Sequence, residues 1–167
     1  TQDGEYWLPA ATFTYEIIDN MQVRLAYSQT IARPDMRELS TAPFIDDERG
    51  LTVRGNPELR IAEIENYDAR FEWYFAAGES LTVGAFYKKF TNPIEQAVFT
   101  LGDGRLGTYV NGTSAELKGV EIEVEKILPF QDWFGWDWLG TREMYIKANG
   151  SYIDGETITD PEDLGSV

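Results

Sequence analysis

The sequence predicts an all-β, antiparallel chain, and three observations support this. Apolar and polar residues alternate with period two over most of the 167 residues. The alternating segments are joined in turn by short and long connections. No stretch shows the 3.6-residue apolar period of an amphipathic helix. Six principal strands are expected, at about 9–18, 21–33, 62–75, 80–100, 106–127 and 142–153, in up-and-down neighbour order.

The first strand places Ala11, Phe13, Tyr15 and Ile17 on one face and Thr12, Thr14 and Glu16 on the other. Asp19-Asn20 supplies a tight turn. Met21, Val23, Leu25 and Tyr27 then oppose Gln22, Arg24, Ala26 and Ser28, so the two segments form a hairpin. Residues 29–60 break the alternation with Pro34, Pro43, Gly50, Gly55 and Pro57 and hold the acidic run Asp46-Asp47-Glu48, the marks of a long loop. Loops of this length are usually functional or disordered.

Alternation returns with Tyr67, Ala69, Phe71, Trp73 and Phe75 against Asp68, Arg70, Glu72 and Tyr74. A short turn over 76–79 leads to Leu81, Val83, Ala85 and Tyr87 against Thr82, Gly84, Phe86 and Lys88, a second hairpin of the same kind. After Asn92-Pro93 the chain stays β-prone to Thr100 and reverses at Asp103-Gly104, which reads as a strand pair projecting past the main sheet. Val120, Ile122 and Val124 next alternate with Glu121, Glu123 and Glu125. An aromatic connection over 128–139 precedes a last strand, and the segment after Gly155 is polar and acidic.

Composition narrows the function classes. With 14 Lys+Arg against 29 Asp+Glu the formal charge is −15, which repels nucleic acid. The absence of Cys and His excludes a disulfide framework, thiolate and imidazole metal sites, a Cys nucleophile and Ser-His-Asp hydrolysis. An aromatic content of 14% requires a packed or lipid-facing surface. No apolar run reaches the ~18 residues of a membrane helix, and Thr1 onward lacks a signal peptide's regions. A membrane barrel remains open, since its strands alternate and keep mean hydropathy low, here −0.36.

A soluble β-sheet, including a carbohydrate-binding module built on the Trp cluster, shows the same alternation. Once strand directions are assigned, however, Tyr27, Tyr67, Tyr87 and Tyr152 fall at the long-loop ends of the apolar faces. Tyr15, Trp73, Phe75 and the cluster Trp133, Phe134, Trp136 and Trp138 gather at the short-turn ends. Two aromatic belts flanking an aliphatic band, with long loops on one side only, are the pattern of an outer-membrane barrel. The opposite face carries Glu16, Arg24, Asp68, Arg70, Glu72, Lys88, Glu121, Glu123, Glu125 and Lys147, which suit a wet or plugged lumen and equally a solvated outer face. Glu121, Glu123 and Glu125 lie about 6 to 7 Å apart per step along one strand, a spacing that overlaps an inverting glycosidase pair. Nothing separates their protonation states, so lumen lining is favoured over a carboxylate-only hydrolase. Asp46-Asp47-Glu48 lacks the spacing and glycine of an EF-hand, and Asn111-Gly112-Thr113 reads as turn chemistry over a glycosylation acceptor.

Several segments also resemble one family. Tyr27-Ser28-Gln29-Thr30-Ile31-Ala32-Arg33-Pro34 through Leu39, Gly55-Asn56-Pro57-Glu58-Leu59, Glu65-Asn66-Tyr67-Asp68, Phe86-Tyr87-Lys88-Lys89, Asn92-Pro93-Ile94, Asn111-Gly112 and Lys118-Gly119-Val120-Glu121-Ile122-Glu123 follow one another in the expected order over about residues 9–153. Together they resemble the C-terminal part of the β-barrel domain of TonB-dependent outer-membrane receptors. The chain departs from that pattern at Ile61-Ala62, where the family usually has another Pro.

The resemblance implies a six-stranded segment of a 22-stranded transmembrane barrel. Residues 1–167 would then be a fragment of the barrel domain, with the plug domain and remaining strands outside this sequence. It implies a Gram-negative outer-membrane location and contact with lipid. Its implied function is uptake of a scarce nutrient, of ferric siderophore or glycan class, powered by TonB through the plug; no enzymatic activity and no cofactor are expected. Ligand contact is expected from the loops at 34–60 and 89–117, because loops on a rigid barrel carry recognition. Arg33, Arg37, Arg49 and Arg54 would serve an anionic ligand, and Asp46, Asp47 and Glu48 a cationic one. Solvated loop charge is the plain alternative for each.

Overall fold

The computed structural model describes residues 4–47, 49–101, 104–130, 133, 135 and 144–158. The period-two segments form β1 (Ala10–Ile18), β2 (Met21–Ala32), β5 (Ala62–Ala76), β6 (Glu79–Thr91), β9 (Ser114–Leu128) and β10 (Met144–Ile158). They make one antiparallel sheet in the order β1-β2-β5-β6-β9-β10, the up-and-down order expected. The short turns behave as their residues require. Tyr74 N of β5 donates to Asn20 O in the β1–β2 turn, and Gly78 takes the positive φ of 73° that closes β5 onto β6. No helix of the described residues is long and apolar enough to cross a membrane, which says nothing of strands.

Three sequence expectations about the elements are corrected. The expected strands at 80–100 and 106–127 each break in two, giving β7 (Ile94–Leu101) and β8 (Gly104–Asn111) beyond β6 and before β9. The break has a local cause. Asn92 adopts φ 53°, the buried Pro93 has no N–H to donate, and Gly112 N bonds back to Pro93 O at 2.7 Å, so both strands turn at one corner. The segment expected as loop at 29–60 contains structure of its own: α1 (Met36–Leu39), β3 (Phe44–Asp46) and β4 (Leu51–Arg54). Finally, β10 runs past Gly155 to Ile158, paired with Ser114.

These extra elements build a second sheet in the order β3-β4-β8-β7, whose β4–β8 pair is parallel. It lies in the two long loops, 33–61 and 92–113, and makes them one structure. The buried apolar residues follow it: Leu51, Val53, Leu59, Ile61, Ala62 and Val110 form the core. Ile61 and Ala62, the departure from the family pattern, thus belong to this core.

Among the described residues, by contrast, neither face of the six-stranded wall is covered. Its register sets Tyr15, Val23, Phe71, Val83, Ile122 and Gly150 in one cross-strand row, and Phe13, Leu25, Ala69, Ala85, Val120 and Tyr152 in the next. Phe13 is 61% exposed, Ile122 50% and Tyr152 70%. A belt of tyrosines closes this apolar face toward the long loops, with Tyr27 opposite Tyr67 and Tyr67 opposite Tyr87, ring centroids 5.1 and 6.1 Å apart. Tyr152 lies one cross-strand row nearer the middle than expected, since Lys118 and Asp154 continue the tyrosine row. At the short-turn end the Trp73 and Phe75 rings meet at a tilt of 58° with centroids 5.1 Å apart, and Lys126 Nζ lies 5.3 Å above the Phe75 ring. Trp133 is exposed and packs edge-on to Phe130; Phe134, Trp136 and Trp138 lie outside the described residues.

Candidate functional site

Two surfaces gather the charged side chains. The first is the face of the wall opposite the apolar one, where the register aligns Arg24, Arg70, Gly84, Glu121 and Ser151 in one row, and Gln22, Glu72, Thr82, Glu123 and Asn149 in the next. Glu72 is 5% exposed, although it is a carboxylate, and its position follows from its partners. Its oxygens take Arg70 Nε at 2.8 Å and Arg24 Nη2 at 3.8 Å, and the Gln22 amide donates to it as well. A nearly buried charge is tolerated only when paired in this way.

Glu123 and Glu125 both face Lys147, at 2.6 and 4.0 Å. Between the two groups Gly84 leaves a gap. Only Glu121 Cβ, at 3.9 Å, would touch a side chain added there. The result is a depression of about 480 Å³ with Arg24, Asp68, Arg70 and Phe86 on one side and Glu121, Glu123 and Asn149 on the other. The alternation therefore puts Glu121, Glu123 and Glu125 on this charged face, with Val120, Ile122 and Val124 on the apolar one.

The second surface is the loop module. Asp35 begins α1 with a capping box, accepting from Arg37 N at 3.1 Å while Glu38 accepts from Asp35 N at 2.8 Å. The end of that short helix lies against Gly55. A Cβ there would stand 2.5 to 2.7 Å from the carbonyl oxygens of Ser40, Glu38 and Arg37, so only glycine fits. Asn56 then donates from Nδ2 to Tyr109 O at 3.0 Å and accepts from Glu58 N at 2.9 Å. Gly107 plays a similar part in β8, since its missing side chain makes room for Leu51, Val53 and Gln96.

Of the residues expected to meet a ligand, the structure places all the described ones in or beside this module but gives several of them internal work. The Arg37 guanidinium lies 4.8 Å above the Phe44 ring, Arg54 Nε donates to Thr41 O at 3.0 Å, and Arg49 donates to Gln96. Asp46 Oδ1 accepts from Arg49 N at 3.3 Å. Arg33 and Asp47 are exposed, and Glu48 lies outside the described residues. Sequence reasoning did not single out the residues that join the loops, namely Asn56, Gln96 and Asn111. Asn111 stood in the sequence only as turn chemistry and within one motif of the resemblance; in the structure it is 8% exposed at the end of β8, with both Nδ2 donors and Oδ1 bonded.

The comparisons with known proteins agree with this architecture. The family model of the TonB dependent receptor-like β-barrel matches residues 1–166. No curated protein matches the chain in sequence. Among solved structures, the siderophore receptor PirA from Pseudomonas aeruginosa is similar with a TM-score of 0.70 at 14% identity, over 91% of this chain and 28% of that one. A mutant of the ferric enterobactin receptor PfeA from the same organism, in complex with enterobactin, gives 0.59 at 17% identity, over 77% and 21%. The chain thus spans about a quarter of the length of these receptors, and the likeness in both is one of fold. With the family model covering nearly every residue, the chain belongs to the TonB-dependent receptor β-barrel family.

Proposed function

We propose that this chain is one segment of the wall and recognition loops of an outer-membrane active-transport receptor in a Gram-negative bacterium. The rest of the protein would supply the plug, the contact with TonB and the remaining barrel strands. The observation that carries the reading is the two-faced wall. One face is apolar, uncovered and edged by Tyr27, Tyr67 and Tyr87, which suits lipid. The other carries Glu72 with its two arginines and the row Glu121, Glu123 and Glu125, which we assign to the lumen. The family's transport role supports this over a soluble carbohydrate-binding module or a carboxylate hydrolase.

For the cargo, a siderophore is the class best supported, since the similar solved structures are those of a siderophore receptor and a ferric enterobactin receptor. Ligand contact is assigned to the loop module, with Arg33, Arg37, Arg49 and Arg54 facing an anionic ligand. Asp46, Asp47 and Glu48 are the corresponding choice for a cationic one. The test is growth of cells bearing the full-length receptor on single ferric siderophores as the iron source. Deletion of 34–60 is expected to abolish growth on one of them while the barrel still reaches the outer membrane. Unchanged uptake of every siderophore that the intact receptor takes up would remove the loop assignment.

A further inference from the structure

The Asn111 carboxamide is used completely. Oδ1 accepts from Arg60 N at 2.7 Å, while Nδ2 donates to Arg60 O at 3.0 Å and to Asn92 O at 2.9 Å. Toward Arg60 the side chain thus acts as a peptide group in a strand pair does, exchanging both a donor and an acceptor. Arg60 closes the first long loop just before β5, and Asn92 opens the second just after β6. Asn92 holds a φ of 53°, which a non-glycine residue adopts rarely. One buried amide therefore fixes both loops where they leave the wall.

Two further side chains repeat the linkage farther out. Asn56, in the first loop, donates to Tyr109 O in the second, and Arg49 in the first donates to Gln96 in the second. The parallel β4–β8 pair joins the same two loops, and Leu51, Val53 and Leu59 of the first and Val110 of the second are buried.

We infer that Asn111 is a positioning residue that makes the two long loops one mechanical unit, so that displacement of either loop by a ligand moves both. The importance of this for binding rests on the receptor reading, whereas the coupling itself is measured without a ligand. The chemistry requires an amide. Asn111→Asp keeps the shape and the acceptor for Arg60 N but replaces two N–H donors by a charged oxygen facing the carbonyls of Arg60 and Asn92, so both of those bonds are lost and the carbonyls are repelled.

The experiment is hydrogen exchange of the full-length protein in detergent, read peptide by peptide. Asn111→Asp is expected to speed exchange about tenfold or more in both 51–54 and 106–110, while peptides from the middle of β5, β6 and β9 keep their wild-type rates. Asn56→Asp, which retains the acceptor for Glu58 N but loses the donor to Tyr109 O, is expected to give the same joint pattern with a smaller rise. It also decides the matter alone if Asn111→Asp fails to fold. Acceleration confined to 104–112 in the first variant, or to 51–59 in the second, would show that the loops open separately and would overturn the inference. A joint rise in a protein whose loop deletion leaves uptake unchanged would uphold the coupling and sink only the receptor role of the loops.

Discussion

Arg24 and Arg70 are direct cross-strand partners, and Glu72, two residues along β5 from Arg70, sets one carboxylate oxygen against each guanidinium. Like charges directly opposite in a sheet repel. Here the carboxylate bridges them, and the Gln22 amide, opposite Glu72 in the register, helps to hold it in place.

Removing that bridge leaves two facing cations. Glu72→Gln is expected to destabilise the barrel by about 1 to 2 kcal/mol, a figure reduced for the half-exposed arginines. Glu121→Gln, at an exposed site on the same face, should stay within about 0.5 kcal/mol. Urea unfolding midpoints of the full-length protein in one detergent check the pair, and equal shifts would show that Glu72 is no keystone.

The two faces predict opposite responses to charge. Ile122→Arg is expected to cost about 2 to 4 kcal/mol and to impair assembly if the residue lies near the middle of a bilayer. Glu123→Gln should leave folding nearly intact. Because a soluble sheet would also resist Ile122→Arg, the deciding measurement is lipid-attached quenching of a reporter at Val120 and then at Glu121. Stronger quenching at Val120 is expected; equal quenching would mean the faces are wrongly assigned.

Glycines of the loop module and of the wall should differ sharply. Gly55→Ala must push back three carbonyl oxygens and is expected to destabilise the loop module by about 1 to 3 kcal/mol. Gly84→Ala has room, and restricting the unfolded chain should make it neutral or stabilising by up to about 1 kcal/mol. Limited proteolysis, scored at 33–61 and separately at the wall, distinguishes the two.

Tyr67 touches both Tyr27 and Tyr87, whereas each of those has a single ring contact in the row. At about 0.5 to 1.5 kcal/mol per aromatic pair, Tyr67→Leu should be the most destabilising of the three substitutions. Thermal loss of the folded, faster-migrating form on unheated gels ranks them, and a larger effect at Tyr27 would contradict the central place of Tyr67 in the row.

The wall was legible in the sequence because a half-exposed strand writes its faces into alternate residues. Phe13, Val23, Phe71, Val83 and Ile122 share a face for that reason, and the short turns set the register within the β1–β2 and β5–β6 hairpins. The loop module was not legible for the opposite reason. Strands β3 and β4 are three and four residues long, too short for a period to stand out, and β4 pairs with β8 from a distant part of the chain. Pro43, Gly50, Gly55 and Pro57 correctly signalled irregular backbone, yet punctuation of this kind cannot reveal a partner from another loop. The candidate arginines were legible as loop charges only. That Arg37 covers Phe44 and Arg54 holds Thr41 depends on packing that local pattern does not encode.

The parallel pairing of β4 with β8 has a kinetic consequence. Between these two strands in sequence lie both β5 and β6, and the hairpin turn at Gly78 must bring the chain back before Thr52 can meet Leu106. Loop-closure entropy makes such a contact late. The outer module therefore completes only after the hairpin has formed in register, and a slip by a single residue would carry Arg60 and Asn92 away from the one amide that holds them both. Its assembly thus depends on the register of the hairpin beneath it.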